Sequence, residues 1–238
     1  MKLDILAFGA HPDDVELSAS GTLIKQMEMG YKCGIVDLTR GELGTRGSAE
    51  IRDKEAARSS EIMGIHIREN LKMEDGFFQN DKPHQLKIVS VIRKYQPQII
   101  LCNAINDRHP DHARAAALIL NAVFLAGLAK VKTEQEGVEQ ERWKVKAVYH
   151  YIQDKYIKPD IIIDISSCWN KKMETIKAFS SQFYNPESNE PDTAISGKDF
   201  MEFLSERAIE MGRNIGANYA EAFSVTRTPG VKNLFDLT

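Results

Sequence analysis

The chain has 238 residues, ordinary apolar and charged fractions and a formal net charge of −3. That length suits a single domain spanning 1–238, and the absence of a long basic block excludes a dedicated nucleic-acid binder. Cys33, Cys102 and Cys168 are widely spaced and odd in number, with no CxxC pair, so a disulfide framework is excluded and a reducing, cytoplasmic setting is expected.

In chain order, residues 3–8 form a short apolar run that reads as a buried parallel strand. Residues 14–29 show helical spacing and end at Gly30, a helix-terminating glycine. Residues 33–38 form a second strand, followed by the glycine-rich loop TRGELGTRG at 39–47. A helix over 49–63 stops at Gly64, and a strand is expected within 65–73. Pro83 opens a helix that runs to Tyr95, Pro being tolerated in the first turn. Residues 99–102 repeat the buried strand pattern. The run AAALILNAVFLAGLA at 115–129 is about 15 residues, short of the ~20 that span a bilayer, and reads as a buried helix that also suits packing on a second subunit. A charged loop over 130–144, strands at 145–152 and 161–165 and helices at 169–180 and 198–215 complete the pattern, with a long loop at 184–197 that suits a lid. Alternating strands and helices predict an α/β, Rossmann-like fold: a mostly parallel sheet with helices on both faces.

Two polar clusters stand just beyond strands. GAHPDDVE at 9–16 follows the first, and NDRHPDH at 106–112 follows the strand at 99–102. Open parallel sheets bind ligands beyond the carboxyl ends of their strands. Either cluster alone could be a turn with a helix cap. Together they bring His11, Asp13, Asp14, His109, Asp111 and His112 to one edge, and capping has no use for the histidines. Two histidines and a carboxylate with an open position are what catalytic zinc uses. The same set describes non-haem iron sites, so Fe2+ is the alternative metal. The spacing alone leaves the ligand trio open.

These motifs resemble the zinc-dependent N-acetylglucosaminyl deacetylases related to the phosphatidylinositol-glycan de-acetylases. Further shared stretches are DLTRGELGTRGSAEIR, KPDIIIDIS and YAEAF. The combined pattern is most similar to the bacillithiol-biosynthesis branch, which acts on N-acetylglucosaminyl-malate. The resemblance implies that His11, Asp14 and His112 bind zinc, that Asp13 is the general base, and that His109 is a second catalytic residue oriented by Asp111. Asp111 would raise the His109 pKa and favour a protonated imidazole at the oxyanion.

Arg46, Arg52 and Arg108 are the candidate partners for a malate carboxylate, with Glu42 a candidate for sugar hydroxyls. His66 and His84 read as surface or structural. His150, near a strand end, is a further candidate to approach the site. Phe77–Phe78 and Phe183–Tyr184 read as packing groups. The expected partner is therefore a small amino-sugar substrate, with no nucleic acid and no membrane, in a homo-oligomer. Chitobiose-like sugars and thiol-sugar conjugates are the rival substrates. A nucleotide-binding module is the rival of another class, but no GxGxxG follows the first strand.

Overall fold

The computed structural model describes residues 1–237. Strand β1 (Ile5–Gly9) is buried along its whole length because helices cover both faces of the sheet. Alternate side chains serve opposite layers. Leu6 and Phe8 pack with Ile88, Ile92, Leu118 and Ile119, whereas Ile5 and Ala7 pack with Val15, Leu23 and Ile24.

After β1 come helices α1 (Asp14–Ser18) and α2 (Ser20–Glu28), strand β2 (Cys33–Asp37), helix α3 (Ala49–Met63), strand β3 (Ile67–Asn70) and helix α4 (Lys82–Tyr95). Strand β4 (Ile99–Cys102) and helix α5 (Pro110–Ala126) follow. A small hairpin, β5 (Glu134–Gln135) and β6 (Val138–Glu139), occupies the stretch expected to be a loop. Strands β7 (Ala147–Tyr151) and β8 (Ile161–Asp164), helices α6 (Trp169–Lys177) and α7 (Lys198–Arg213) and strand β9 (Ala220–Val225) complete the order. The main sheet runs β3-β2-β1-β4-β7-β9-β8. Its first five strands are parallel, and β9 is antiparallel to both β7 and β8. The mostly parallel Rossmann-like sheet is the expected one. No helix of the described residues is long and apolar enough to cross a membrane.

Two departures share one cause. The helix expected over 14–29 is broken at Ala19 (φ −144°, ψ 0°), and β9 lies where no strand was expected. Glu221 of β9, 5% exposed, accepts hydrogen bonds from the first-turn amides of α2, Gly21 N at 2.9 Å and Thr22 N at 2.7 Å. A carboxylate there satisfies orphan donors and the positive end of the helix dipole. Lys172 of α6, also buried, donates to Glu221 Oε1 at 2.7 Å and to the carbonyls of Glu16 and Leu17 at 2.9 Å each. Helix 14–29 therefore restarts on a long-range cap, which its own periodicity does not encode. The glutamate inside AEAFSV interrupts the apolar run by which a buried strand is read. The apolar run 115–129 is only partly a core helix: α5 starts earlier, at Pro110, and Phe124 stays 69% exposed.

Candidate active site

The chain leaves β1 for β2 and β3 on one side, then crosses back to place β4 on the other. Strand order thus reverses between β1 and β4, and such a switch opens a crevice beyond the strand ends. GAHPDDVE leaves β1 and NDRHPDH leaves β4 at this point. His11, Asp13, Asp14, His109 and His112 all line a cavity of about 420 Å3 there, a size suited to a small ligand.

Local structure excludes the capping explanation for Asp13. It stands at the N-cap position of α1 but makes no side-chain cap bond, and its backbone has φ 126°. A non-glycine residue at such a φ is strained, by of order 1–3 kcal/mol. Its carboxylate instead accepts from Arg52 Nη2 at 2.7 Å. Arg52 also donates to the carbonyls of Pro12 (2.8 Å) and Gly41 (3.3 Å). Gly41 has φ +65°, and a Cβ on it would lie 2.0 Å from Arg52 Nη1. The glycine-rich loop thus makes room for the arginine that holds Asp13. Burial pushes the Asp13 carboxyl up to about 7, against the opposing charge of Arg52. Glu16, the last residue of the motif, turns inward to Arg68 (2.6 Å) and Ser59 (2.7 Å) and is structural.

Asp14 lies between two imidazoles. Its Oδ1 is 3.1 Å from His112 Nε2 and its Oδ2 3.7 Å from His11 Nδ1. The His11 amide (2.9 Å), Asn103 Nδ2 (2.9 Å) and Gln153 Nε2 (3.1 Å) all donate to it. Burial opposes its ionisation, but the His112 and His11 charges hold it well below the usual carboxylate range. Despite burial, Asp111 and Asp75 push His11 up to about 10, and Asp14 and Asp107 push His112 up to about 9. Asp107 Oδ2 holds His112 Nδ1 at 2.5 Å, which presents Nε2 to the cavity.

This chemistry fits a divalent cation. Carboxylates that hold two imidazoles protonated can balance a metal charge in place of those protons. An outer carboxylate on a ligating histidine is the usual orienting partner. The donor atoms of His11, His109 and His112 lie within 4.8 Å of one another, as do those of His11, Asp75 and Asp111. His11 belongs to both sets. The trio His11, Asp14 and His112 is joined through Asp14.

His109 departs from the expected arrangement with Asp111. Its Nδ1 accepts the Asp111 backbone N–H at 3.2 Å as the cap of α5, which leaves the proton of a neutral ring on Nε2. The Asp111 carboxylate faces elsewhere: toward His11 Nε2 (3.5 Å), the Gly76 amide (2.9 Å) and Arg114 (2.5 Å). Burial and the neighbouring His11 and His112 charges lower the His109 pKa. The Asp111 charge does act to raise it, as expected, but burial and the two neighbouring imidazoles outweigh that pull.

The candidate substrate residues are mostly engaged. Arg46 donates to Ser188 and lies 3.6 Å from Glu190, tying the glycine-rich loop to the 184–197 loop without lining the cavity. Arg52 lines the cavity but is committed to Asp13. Arg108 lines it too, paired with Asp154 at 2.8 Å. Glu42 accepts from the amides of Arg40 and Asp75 and holds the loop. His150 is buried, bonded to the Asn103 carbonyl at 2.8 Å, and does not line the cavity. His66 accepts the Cys33 amide, and His84 pairs with Asp81 at its helix start; both are structural. Phe78 and Phe183 are buried packing groups, but Phe77 and Tyr184 are exposed. In the 184–197 loop, Thr193, Ala194 and Ile195 line the cavity. Asp75, Asn103, Asp107 and Gln153 were not anticipated. Asp107 lay inside the quoted motif, whereas Asn103 and Gln153 sit one and two residues past strand ends, a signal that could have found them.

The profile of the PIG-L family, GlcNAc-PI de-N-acetylase, matches residues 6–123, which include both motifs. A crystal structure of a conserved protein from Thermus thermophilus is 33% identical, with a TM-score of 0.85 over 96% of this chain and 97% of that one. A diacetylchitobiose deacetylase of Thermococcus kodakarensis is 28% identical, covering 95% of this chain and 84% of its own. A 4-oxalmesaconate hydratase of Pseudomonas putida is 25% identical, covering 97% and 88%. A probable N-acetyl-alpha-D-glucosaminyl L-malate deacetylase of Bacillus anthracis is 24% identical, covering 75% and 81%. The two strand-end motifs, the sheet that joins them at its switch point and these likenesses place the chain in the PIG-L family of de-N-acetylases.

Proposed function

We propose that the protein hydrolyses the N-acetyl group of a small N-acetylglucosaminyl glycoside, N-acetylglucosaminyl-malate in bacillithiol biosynthesis being the substrate of this reading. The observation that carries it is Asp13: a strained, buried carboxylate that caps nothing, beside a cluster of histidines in one cavity. His11, Asp14 and His112 would hold zinc, with ferrous iron as the alternative. A metal there supplies Lewis acidity, lowering the pKa of water and polarising the acetamide carbonyl. The chain's own residues do the rest. Asp13 takes a proton from the attacking water, and Arg52 fixes the carboxylate that receives it. His109, its Nδ1 occupied by the Asp111 amide, offers Nε2–H to the developing oxyanion. Asp111 and Asp75 orient His11, and Asp107 orients His112. As the C–N bond breaks, the proton that Asp13 took passes to the leaving nitrogen, directly or by way of His109, so the amino sugar departs as a free amine and acetate is the second product.

Amine release from N-acetylglucosaminyl-malate by zinc-loaded protein tests this. Asp13→Asn should cost at least ~10²–10⁴ in kcat while the variant still binds zinc. Full activity in the variant sinks the role of Asp13, and no amine release from malate, chitobiose-like or thiol-sugar substrates sinks the reading. The Pseudomonas putida relative favours a second reading, hydration of an unsaturated carboxylate. Loss of conjugated ultraviolet absorbance from such a compound, with no amine release, would establish it.

A further inference from the structure

Three arginines near the cavity already have polar side-chain partners, and a fourth does not. Arg52 serves Asp13, Arg108 serves Asp154 and Arg46 serves Ser188 and Glu190. Arg207 of α7 also lines the cavity, next to Arg108, Gln153 and Asp154. Its hydrogen bond is a donation from Nη1 to the Gln153 carbonyl, and its guanidinium lies over the Phe203 ring, 5.3 Å from the centroid. The acidic groups that bear on it are Asp154, Asp107 and Glu221. Each is committed elsewhere: Asp154 to Arg108, Asp107 to His112 and Glu221 to Lys172. Among the described residues, no carboxylate forms an ion pair with Arg207.

A half-buried guanidinium with one backbone acceptor is a costly way to hold a helix to a loop, because desolvating the charge is not offset by a counter-ion. Its planar fork keeps unused N–H donors, and a carboxylate is the group that matches them two at a time. The Gln153 backbone that Arg207 grips belongs to the side chain that donates to Asp14. Phe200 and Leu204, on the same helix, supply apolar wall between these polar groups.

We propose that Arg207 is the specificity-determining residue of this site, pairing with a carboxylate on the group glycosidically attached to the amino sugar. This deepens the deacetylase reading and rests on it. Helix α7 thus selects the aglycone, while the β1 and β4 edges hold the acetamide.

The test compares kcat/KM for N-acetylglucosaminyl-malate with that for its neutral dimethyl ester, in the wild type, Arg207→Gln and Arg207→Lys. The wild type should prefer the dianion. In Arg207→Gln the preference ratio should fall roughly 10–100-fold, the size of one lost charge-assisted pair, and Arg207→Lys should keep part of it. A wild type with no preference overturns the proposal. So does a Gln variant in which both rates fall together, which is what a purely structural tether to Gln153 predicts. If Arg207→Gln does not fold, an unchanged ratio in Arg207→Lys overturns it equally. If the wild type deacetylates neither compound, the malate assignment of the deacetylase reading has failed, and calorimetric titration with free malate then decides for Arg207. Binding weakened about tenfold or more in the variant upholds the anion site; equal affinity or no binding overturns it.

Discussion

Replacing Glu221 with alanine tests how the fold builds the site. Glu221 and Lys172 are 5% and 3% exposed and share a 2.7 Å contact. Burial lowers the Lys172 pKa, and the Glu221 charge works against that fall. Removing the carboxylate strands a buried ammonium, which typically costs about 3–5 kcal/mol. It also uncaps two first-turn amides of α2, a loss of about 0.5–2 kcal/mol. Against a usual total of about 5–15 kcal/mol, Glu221→Ala should lower the guanidinium unfolding midpoint steeply. The double variant Glu221→Ala/Lys172→Met removes both charges and should recover about 2–3 kcal/mol of the loss, because the α2 amides and the Glu16 and Leu17 carbonyls that Lys172 served stay unsatisfied. Raising the pH should also help the single variant, because the stranded lysine can shed its proton. A chain of this length requires coincident fluorescence and circular-dichroism transitions before free energies are compared. A Glu221→Ala penalty below about 1 kcal/mol, or a double variant no better than the single, would refute the view that this pair anchors the break in helix 14–29.

Three further outcomes concern the site. Arg52 holds the Asp13 pKa down, so Arg52→Gln should raise it above about 7; a base works only when deprotonated, so the acid limb of kcat/KM must move to higher pH, and a limb that stays put refutes the pairing. Asp107→Asn should weaken zinc binding roughly 10–100-fold by releasing the His112 ring, measured by chelator competition, with unchanged affinity as the contrary result. His11 and His112 are raised to about 10 and about 9 by carboxylates, so the metal-free protein draws stability from them that is complete below pH ~6.5 and lost as pH rises through those values. Zinc held by these two histidines would displace the same protons, so calorimetry near pH 7 in buffers of different ionisation enthalpy should detect proton release, and a buffer-independent heat would contradict the pairing.

Much of this architecture was legible because local rules and the global fold agree. Residues 5–9 and 99–102 are apolar throughout, as strands covered on both faces must be, and the polar clusters after them mark the edge where ligands bind. What escaped was carried by contacts between residues far apart in sequence. The break at Ala19 depends on Glu221, some two hundred residues away. The orientation of Asp111 depends on Gly76 and His11, so its neighbour His109 receives a backbone amide instead of a carboxylate. Arg52 and Arg207 are both arginines near one cavity, and only partner counting separates the residue that holds Asp13 from the one left with free donors.

The strain at Asp13 shows why the motif cannot be read as a stability device. A φ of 126° there raises the energy of the folded chain, and burial beside Asp14 raises the carboxyl pKa further. Glu16, three residues on, is tied through Oε1 to Arg68 and Ser59 and supports the fold. One short stretch therefore carries both kinds of residue, one that destabilises the fold and one that supports it. Asparagine at position 13 removes the charge without relieving the backbone, whereas glycine relieves the backbone and removes the base. If Asp13 is placed for chemistry, Asp13→Gly should abolish activity as thoroughly as Asp13→Asn and be the more stable of the two, since both lose the charge that faces the buried Arg52 and only glycine relieves the backbone. A glycine variant less stable than the asparagine variant would show that the polar bond to Arg52 holds the turn together, and that the position owes more to the fold than to the reaction.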